Sequence, residues 1–95
     1  MMLKDVQQPR YSFVVPLFNT GPSLPLLIEA FQDLELEGGW ELVLVDDGST
    51  DGTALSAERM LKSMQHRVTL VELTRNFGEH AAVLEGYRRS PRHQA

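Results

Sequence analysis

The sequence has 95 residues, 42% of them apolar and 23% charged, with a formal net charge of -4. That is one small domain at most, too rich in apolar residues for a disordered chain and without the basic stripe that nucleic acid requires. The lack of cysteine excludes disulfides and thiolate metal sites and fits a cytoplasmic location. The first ten residues hold no signal-peptide core, and no apolar run approaches the roughly 20 residues that span a bilayer.

Residues 1–10 read as a polar tail. Tyr11 to Val15 is a short apolar run that stops at Pro16, as a strand buried on both faces would. Ser23 is placed to cap a helix with Pro25 in its first turn. Leu24, Leu27, Ile28, Phe31 and Leu34 then recur at helical spacing until Gly38 and Gly39. Glu41 to Val45 predicts a second strand, ending at Asp46. A second helix is expected from about Asp51, with Ala54, Ala57, Leu61 and Met64 on one face. Val68 to Leu73 is the third strand. The third helix starts near Gly78, carries Ala81, Ala82, Val83 and Leu84, and frays near Ser90 and Pro91, so that 90–95 reads as a ragged end. Strict alternation of strands and helices predicts an α/β, Rossmann-like parallel sheet in the order 3-2-1, with helices on both faces.

In an open parallel sheet, ligands bind beyond the carboxyl ends of the strands. That rule selects Pro16–Thr20, Asp46–Thr53 and Thr74–Gly78 as one candidate site. Asp46 and Asp47 are adjacent carboxylates at a strand end. They repel unless donors, a cation or water compensate, and they accept hydrogen bonds well from a base or a ribose. Gly48 allows a sharp turn and close approach of a ligand. The bland alternative is a capping turn with solvated aspartates. Arg75 suits a phosphate near a helix N-terminus, or else simply pairs with Asp46 or Asp47. Asn19 orients either a turn or a ligand. His80, His66 and His93 have no partners at metal-ligand spacing, and Arg88, Arg89 and Arg92 read as a solvated helix end.

Three stretches together resemble family 2 glycosyltransferases with the GT-A fold. They are Val14–Asn19, then Val43–Thr53, then Arg75–Gly78 with Ala81, Ala82 and Gly86 following. The last is most similar to the branch that moves a sugar onto a polyprenyl phosphate, the dolichyl-phosphate mannose synthase-like enzymes. The resemblance implies that 11–89 is part of a GT-A nucleotide-sugar-binding domain. Pro16 and Phe18 would line the nucleotide pocket, Asp46 and Asp47 would bind base and ribose of a UDP- or GDP-sugar, and Gly48, Arg75 and Gly78 would complete the nucleotide site. The chain departs from the family at Thr20, where a glutamate is usual, and at Phe18, where a tyrosine is common.

The resemblance also implies a truncated domain. The family's next strand carries a second acidic motif that holds a divalent metal, and a later acidic residue acts as base in inverting members. Neither lies in these 95 residues. Mg²⁺ or Mn²⁺ is therefore expected for the intact enzyme, which would reach a membrane only through parts beyond this chain. No metal ligand or catalytic residue is expected here, and no activity from this chain alone. A non-catalytic nucleotide-binding or interaction module is the alternative. A phospho-receiver domain is disfavoured, because its acidic pair follows the first strand and not the second. The first strand would be an open edge in such a fragment, with no lysine or internal proline to discourage pairing. A homodimer or larger assembly through residues 11–15 is expected on that ground.

Overall fold

The computed structural model describes residues 9–64 and 67–90. Strands β1 (Tyr11–Leu17), β2 (Trp40–Asp46) and β3 (Val68–Glu72) alternate with helices α1 (Leu24–Gln32), α2 (Thr53–Met60) and α3 (Glu79–Arg89). Short 3-10 turns precede α1 at Gly21–Ser23 and follow α2 at Leu61–Met64. Both ladders are parallel and β2 is central, so the expected 3-2-1 order is present. His66, Pro91, Arg92 and His93 lie outside the described residues.

β2 is buried along its whole length because helices cover both faces. Trp40, Leu42 and Leu44 face the side of α1 and α2, where they meet Leu24, Ile28 and Ala57. Val43 and Val45 face α3, where they meet Ala82, with Val71 of β3 alongside. Each buried leucine, isoleucine or valine among them contributes about 1.5–3 kcal/mol through burial. Phe31 packs between Phe13 and Trp40, with ring centroids 5.3 and 5.5 Å apart.

Several boundaries differ from the sequence expectation. α1 stops at Gln32, well before Gly38 and Gly39, and Leu34 lies outside it. The Trp40 indole N–H donates to the Leu34 carbonyl at 2.9 Å and holds the chain in its turn towards β2. Ser23 occupies the cap position, but its hydroxyl donates to the Thr20 carbonyl and caps no amide. α2 begins at Thr53, two residues after Asp51, and Leu61 and Met64 belong to the 3-10 turn.

β1 continues through Pro16 to Leu17, and its hydrogen-bonding parity explains why. Tyr11 N–H donates to the Gly39 carbonyl, and the Leu17 carbonyl accepts from Asp47 N–H. Odd-numbered residues of β1 therefore turn their main-chain groups towards β2, and Ser12, Val14 and Pro16 turn theirs away from it. Pro16 has no N–H to lose from the ladder, which is where a strand tolerates proline. The expectations that Pro16 terminates the strand and that the edge lacks an internal proline are both corrected.

The end of α3 is also built into the fold. Ser90 is 1% exposed. Its hydroxyl donates to the buried Glu41 carboxylate and lies 3.1 Å from the Ser12 hydroxyl. The middle of α3 approaches the sheet through Gly86, where a Cβ would run into the γ-methyls of Val14 and of Val45, the latter at 2.7 Å. Valine γ-methyls are fixed by their branched Cβ and cannot swing aside. We predict that Gly86→Val destabilises the chain by about 1–3 kcal/mol, the usual range for overpacking. Urea denaturation followed by circular dichroism should show a lower midpoint with an unchanged slope.

Candidate functional site

The carboxyl ends of the three strands converge on Asp47. Its backbone N–H donates to the Leu17 carbonyl at 2.8 Å, which ties the end of β2 to the end of β1. Its carboxylate accepts the Phe77 N–H at 2.8 Å and the Gly78 N–H at 3.0 Å, which ties β2 to the start of α3. The residue is 3% exposed. Two amides at a helix N-terminus supply the donors that a buried carboxylate requires. Each oxygen retains a further lone pair.

Asp46 is held differently. One carboxylate oxygen accepts the Ser49 N–H at 3.2 Å. The other is buried and has no hydrogen-bond partner among the described residues. The adjacent aspartates thus diverge: Asp47 serves the third loop and Asp46 the second. Gly48, at φ +75°, lets the chain turn immediately after the pair and lies flat against the backbone of 75–76. A Cβ there would stand 2.5 Å from Asn76 N, so only glycine meets both demands.

Asn19 and Asp51 join the first two loops. Asn19, at φ 52°, donates its N–H to the Ser49 hydroxyl and accepts the Thr50 N–H on its side chain, both at 2.8 Å. Asparagine tolerates this left-handed conformation better than most residues. The Asp51 carboxylate accepts the Gly21 N–H at 3.2 Å, the Thr53 N–H at 3.0 Å and the Thr53 hydroxyl. The same hydroxyl accepts the Thr20 N–H at 3.1 Å. Thr53 lies in the second candidate segment, but its bridging role was not read from the sequence, although an Asp two positions before a Thr at a helix start is the signal that would have found it. Asn19 orients a turn here, as one of its two readings held.

The result is a cleft of about 320 Å³ between the first and third loops, walled by Pro16, Phe18, Asp47, Asn76 and Gly78. Of the seven residues singled out for nucleotide binding, Pro16, Phe18, Asp47 and Gly78 line this cleft. Gly48 lies behind it, in contact with the third loop, and Asp46 is closed off below. Phe18 is 46% exposed and contributes little to the core. The Arg75 guanidinium stacks over the Phe77 ring, 4.6 Å from its centroid, and no ion pair joins it to Asp46 or Asp47 among the described residues. His80 is exposed. Arg88 and Arg89 both pair with Glu85.

A divalent cation does not fit these residues alone. Mg²⁺ and Mn²⁺ take about six oxygen ligands. Asp47 is already committed to two amides, and the open oxygen of Asp46 is a single donor closed off from the cleft. Among the described residues no group of three or more His, Asp or Glu side chains is arranged to hold a metal, and no helix is long and apolar enough to cross a membrane.

Comparison with known proteins gives this geometry a context. The family model "Glycosyl transferase family 2" matches residues 12–91. The chain is 42% identical over 83 residues to a dodecaprenyl-phosphate galacturonate synthase of Rhizobium johnstonii, covering 85% of this chain and 25% of that protein. It is 36% identical over 83 residues to an undecaprenyl-phosphate 4-deoxy-4-formamido-L-arabinose transferase of Proteus mirabilis, covering 85% and 26%. Among solved structures it is similar to a mannosyltransferase of Pyrobaculum calidifontis in complex with GDP-Man and Mn²⁺. That TM-score is 0.74 with 30% identity, over 88% of this chain and 25% of that one. The chain therefore spans about a quarter of the length of the relatives it matches.

The Asp51 cluster makes an acid-stability prediction. The Thr53 hydroxyl is the largest influence on the Asp51 carboxyl and lowers it; desolvation opposes this next, and the backbone N–H groups of Gly21 and Thr53 add to the lowering, so that the carboxyl lies below its ordinary value. A depressed folded-state pKa gives stability that is present above the unfolded value of about 3.9 and is lost as pH falls through the folded value. We predict that Asp51→Asn is less stable than wild type at neutral pH and that the gap closes as pH falls below about 4. Thermal melts at pH 7 and pH 3 would show it, and an unchanging gap would count against the assignment.

Proposed function

This chain belongs to glycosyl transferase family 2, and we propose that its strand-end cleft receives the nucleotide of a UDP- or GDP-sugar. The observation that carries the reading is the cleft itself, with an exposed aromatic ring at Phe18 on one wall and the Asp47 carboxylate and Gly78 on the other. An aromatic face stacks on a base, and the unused lone pairs of Asp47 accept from a base N–H or a ribose hydroxyl. Gly48 sets the approach of the second and third loops. Arg75, exposed beside the cleft, adds positive charge for a diphosphate. Asp46 acts from beneath by fixing the loop through Ser49.

For the protein as a whole we propose transfer of the sugar to an acceptor such as a polyprenyl phosphate, the acceptor class in the names of both bacterial relatives described above. A divalent cation belongs to the same proposal. The mannosyltransferase structure contains Mn²⁺, and the leaving diphosphate needs its charge neutralised. The ligands must then come from beyond Asp46 and Asp47. A cytoplasmic location is part of the reading, with any membrane contact made outside these residues. So is self-association through the open edge of β1. A second reading, a nucleotide-binding module without catalysis, is favoured by the commitment of both Asp47 oxygens to backbone amides.

Calorimetry of UDP and GDP tests the binding site. Asp47→Ala should weaken binding about 10- to 150-fold, the equivalent of one hydrogen bond to a charged group at 1.5–3 kcal/mol. Because Asp47 also holds α3, Phe18→Ala serves as the variant whose folding is not at issue, with a loss of about fivefold or more from base stacking. Equal affinity in wild type and both variants would sink the assignment. The second prediction is that the 95-residue chain alone turns over no nucleotide sugar. Chelator-sensitive release of sugar by the pure chain would show that the metal ligands have been misplaced.

A further inference from the structure

We propose that Ser49, Asp51 and Thr53 are positioning residues of the nucleotide site, which hold the backbone of residues 19–21 and thereby fix the Phe18 ring on the wall of the cleft. The proposal rests on the reading of that cleft as the seat of a nucleotide and says what keeps its aromatic wall in place.

Burial does not hold the ring. Phe18 is 46% exposed and belongs to neither core cluster. An exposed side chain on a loop moves with its backbone, and a base meets a ready-made stacking surface only where that backbone is already ordered. On one side of Phe18 the Leu17 carbonyl accepts the Asp47 N–H at 2.8 Å. On the other side, three successive amides of the first loop each donate to a side chain of the second. Asn19 N–H reaches the Ser49 hydroxyl at 2.8 Å, Thr20 N–H the Thr53 hydroxyl at 3.1 Å, and Gly21 N–H the Asp51 carboxylate at 3.2 Å. Among the described residues no hydrogen bond joins residues 18–21 to the third loop. The second loop is the template on which the first is laid.

The three side chains suit this task. Successive N–H groups that leave a strand end need acceptors, and backbone carbonyls do not supply them here. The Thr53 hydroxyl gives its hydrogen to one Asp51 oxygen, which leaves its lone pairs for Thr20 N–H. The other Asp51 oxygen takes Gly21 N–H. None of the three residues lines the cleft, so they act on a ligand through the first loop. A loop that keeps the ring in place only part of the time lowers the apparent affinity by that fraction.

Calorimetry of UDP and GDP with the complete 95-residue chain tests this in a double-mutant cycle. Ser49→Ala, and separately Thr53→Val, should weaken binding about threefold, the loss when the ring is in place about a third of the time. In the Phe18→Ala background neither should weaken it further, because the group they position is gone, whereas independent effects multiply. Thr53→Ser keeps the hydroxyl and should bind as wild type does. A second measurement needs no ligand. The chain has four phenylalanines, so 4-fluorophenylalanine gives four fluorine resonances, and Phe18→Ala identifies that of Phe18 by its loss. Ser49→Ala and Thr53→Val should move this resonance towards its position in the unfolded chain. Those of Phe13 and Phe31, which pack against the core, should stay in place. A Phe18 resonance unmoved by both variants, core resonances that move with it, or equal losses of affinity with and without the ring overturn the positioning role and leave the nucleotide reading standing. Phe18→Ala that binds both nucleotides as wild type does overturns the reading of the ring itself, and the positioning role with it.

Discussion

Asp47 is the point on which the three strand ends depend. Its amide reaches β1, its position ends β2, and its carboxylate takes the first amides of the segment leading into α3. A parallel sheet has no hairpins at this end to hold its loops together, so the connection must come from side chains. A carboxylate suits the task because it accepts in several directions at once and is drawn to a helix N-terminus. Gly48 makes the arrangement sterically possible. Without its bare backbone the third loop could not come close enough for Phe77 and Gly78 to reach the carboxylate. The cleft is bounded by the residues so positioned, which links its shape to one side chain.

This arrangement changes the meaning of an acidic pair at a strand end. Two adjacent carboxylates suggest ligand contacts for both. Here Asp46 and Asp47 occupy different surroundings, because successive side chains near the end of β2 point to opposite faces. Asp47 faces the third loop and the cleft, and Asp46 turns down towards Ser49. A ligand that meets Asp47 meets a group already saturated in two directions, so binding strength and loop integrity are coupled at this residue. Phe18 carries no such double duty.

Much of the fold was legible in the sequence because burial on both faces leaves a plain signal. Val43, Leu44 and Val45 are apolar without alternation, and only the central strand of a covered parallel sheet needs that. The strand-end site was legible for the same topological reason. What escaped notice depended on tertiary parity and on contacts distant in sequence. The continuation of β1 through Pro16 follows from which way its N–H would have pointed, and composition cannot show that. The early end of α1 follows from an indole bond to Leu34. The link of Asp51 to Gly21 spans thirty residues, and the burial of Glu41 by Ser90 spans forty-nine. For Arg75 the sequence offered a phosphate or, alternatively, an ion pair with Asp46 or Asp47; its guanidinium stacks on the nearby Phe77 ring, a contact that charge alone does not announce.

The close seat of α3 on the sheet at Gly86 has a mechanical consequence. The γ-methyls of Val14 and Val45 occupy the space that a side chain would fill there, and one turn earlier Ala82 is buried with Val43 and Val45. Two such contacts on one face oppose sliding of the helix along its own axis. Its ends are tied as well, by the Gly78 amide on Asp47 and by the Ser90 hydroxyl on Glu41. α3 is therefore a strut about 16 Å long, and the packing that seats it also holds the Gly78 amide at the wall of the cleft.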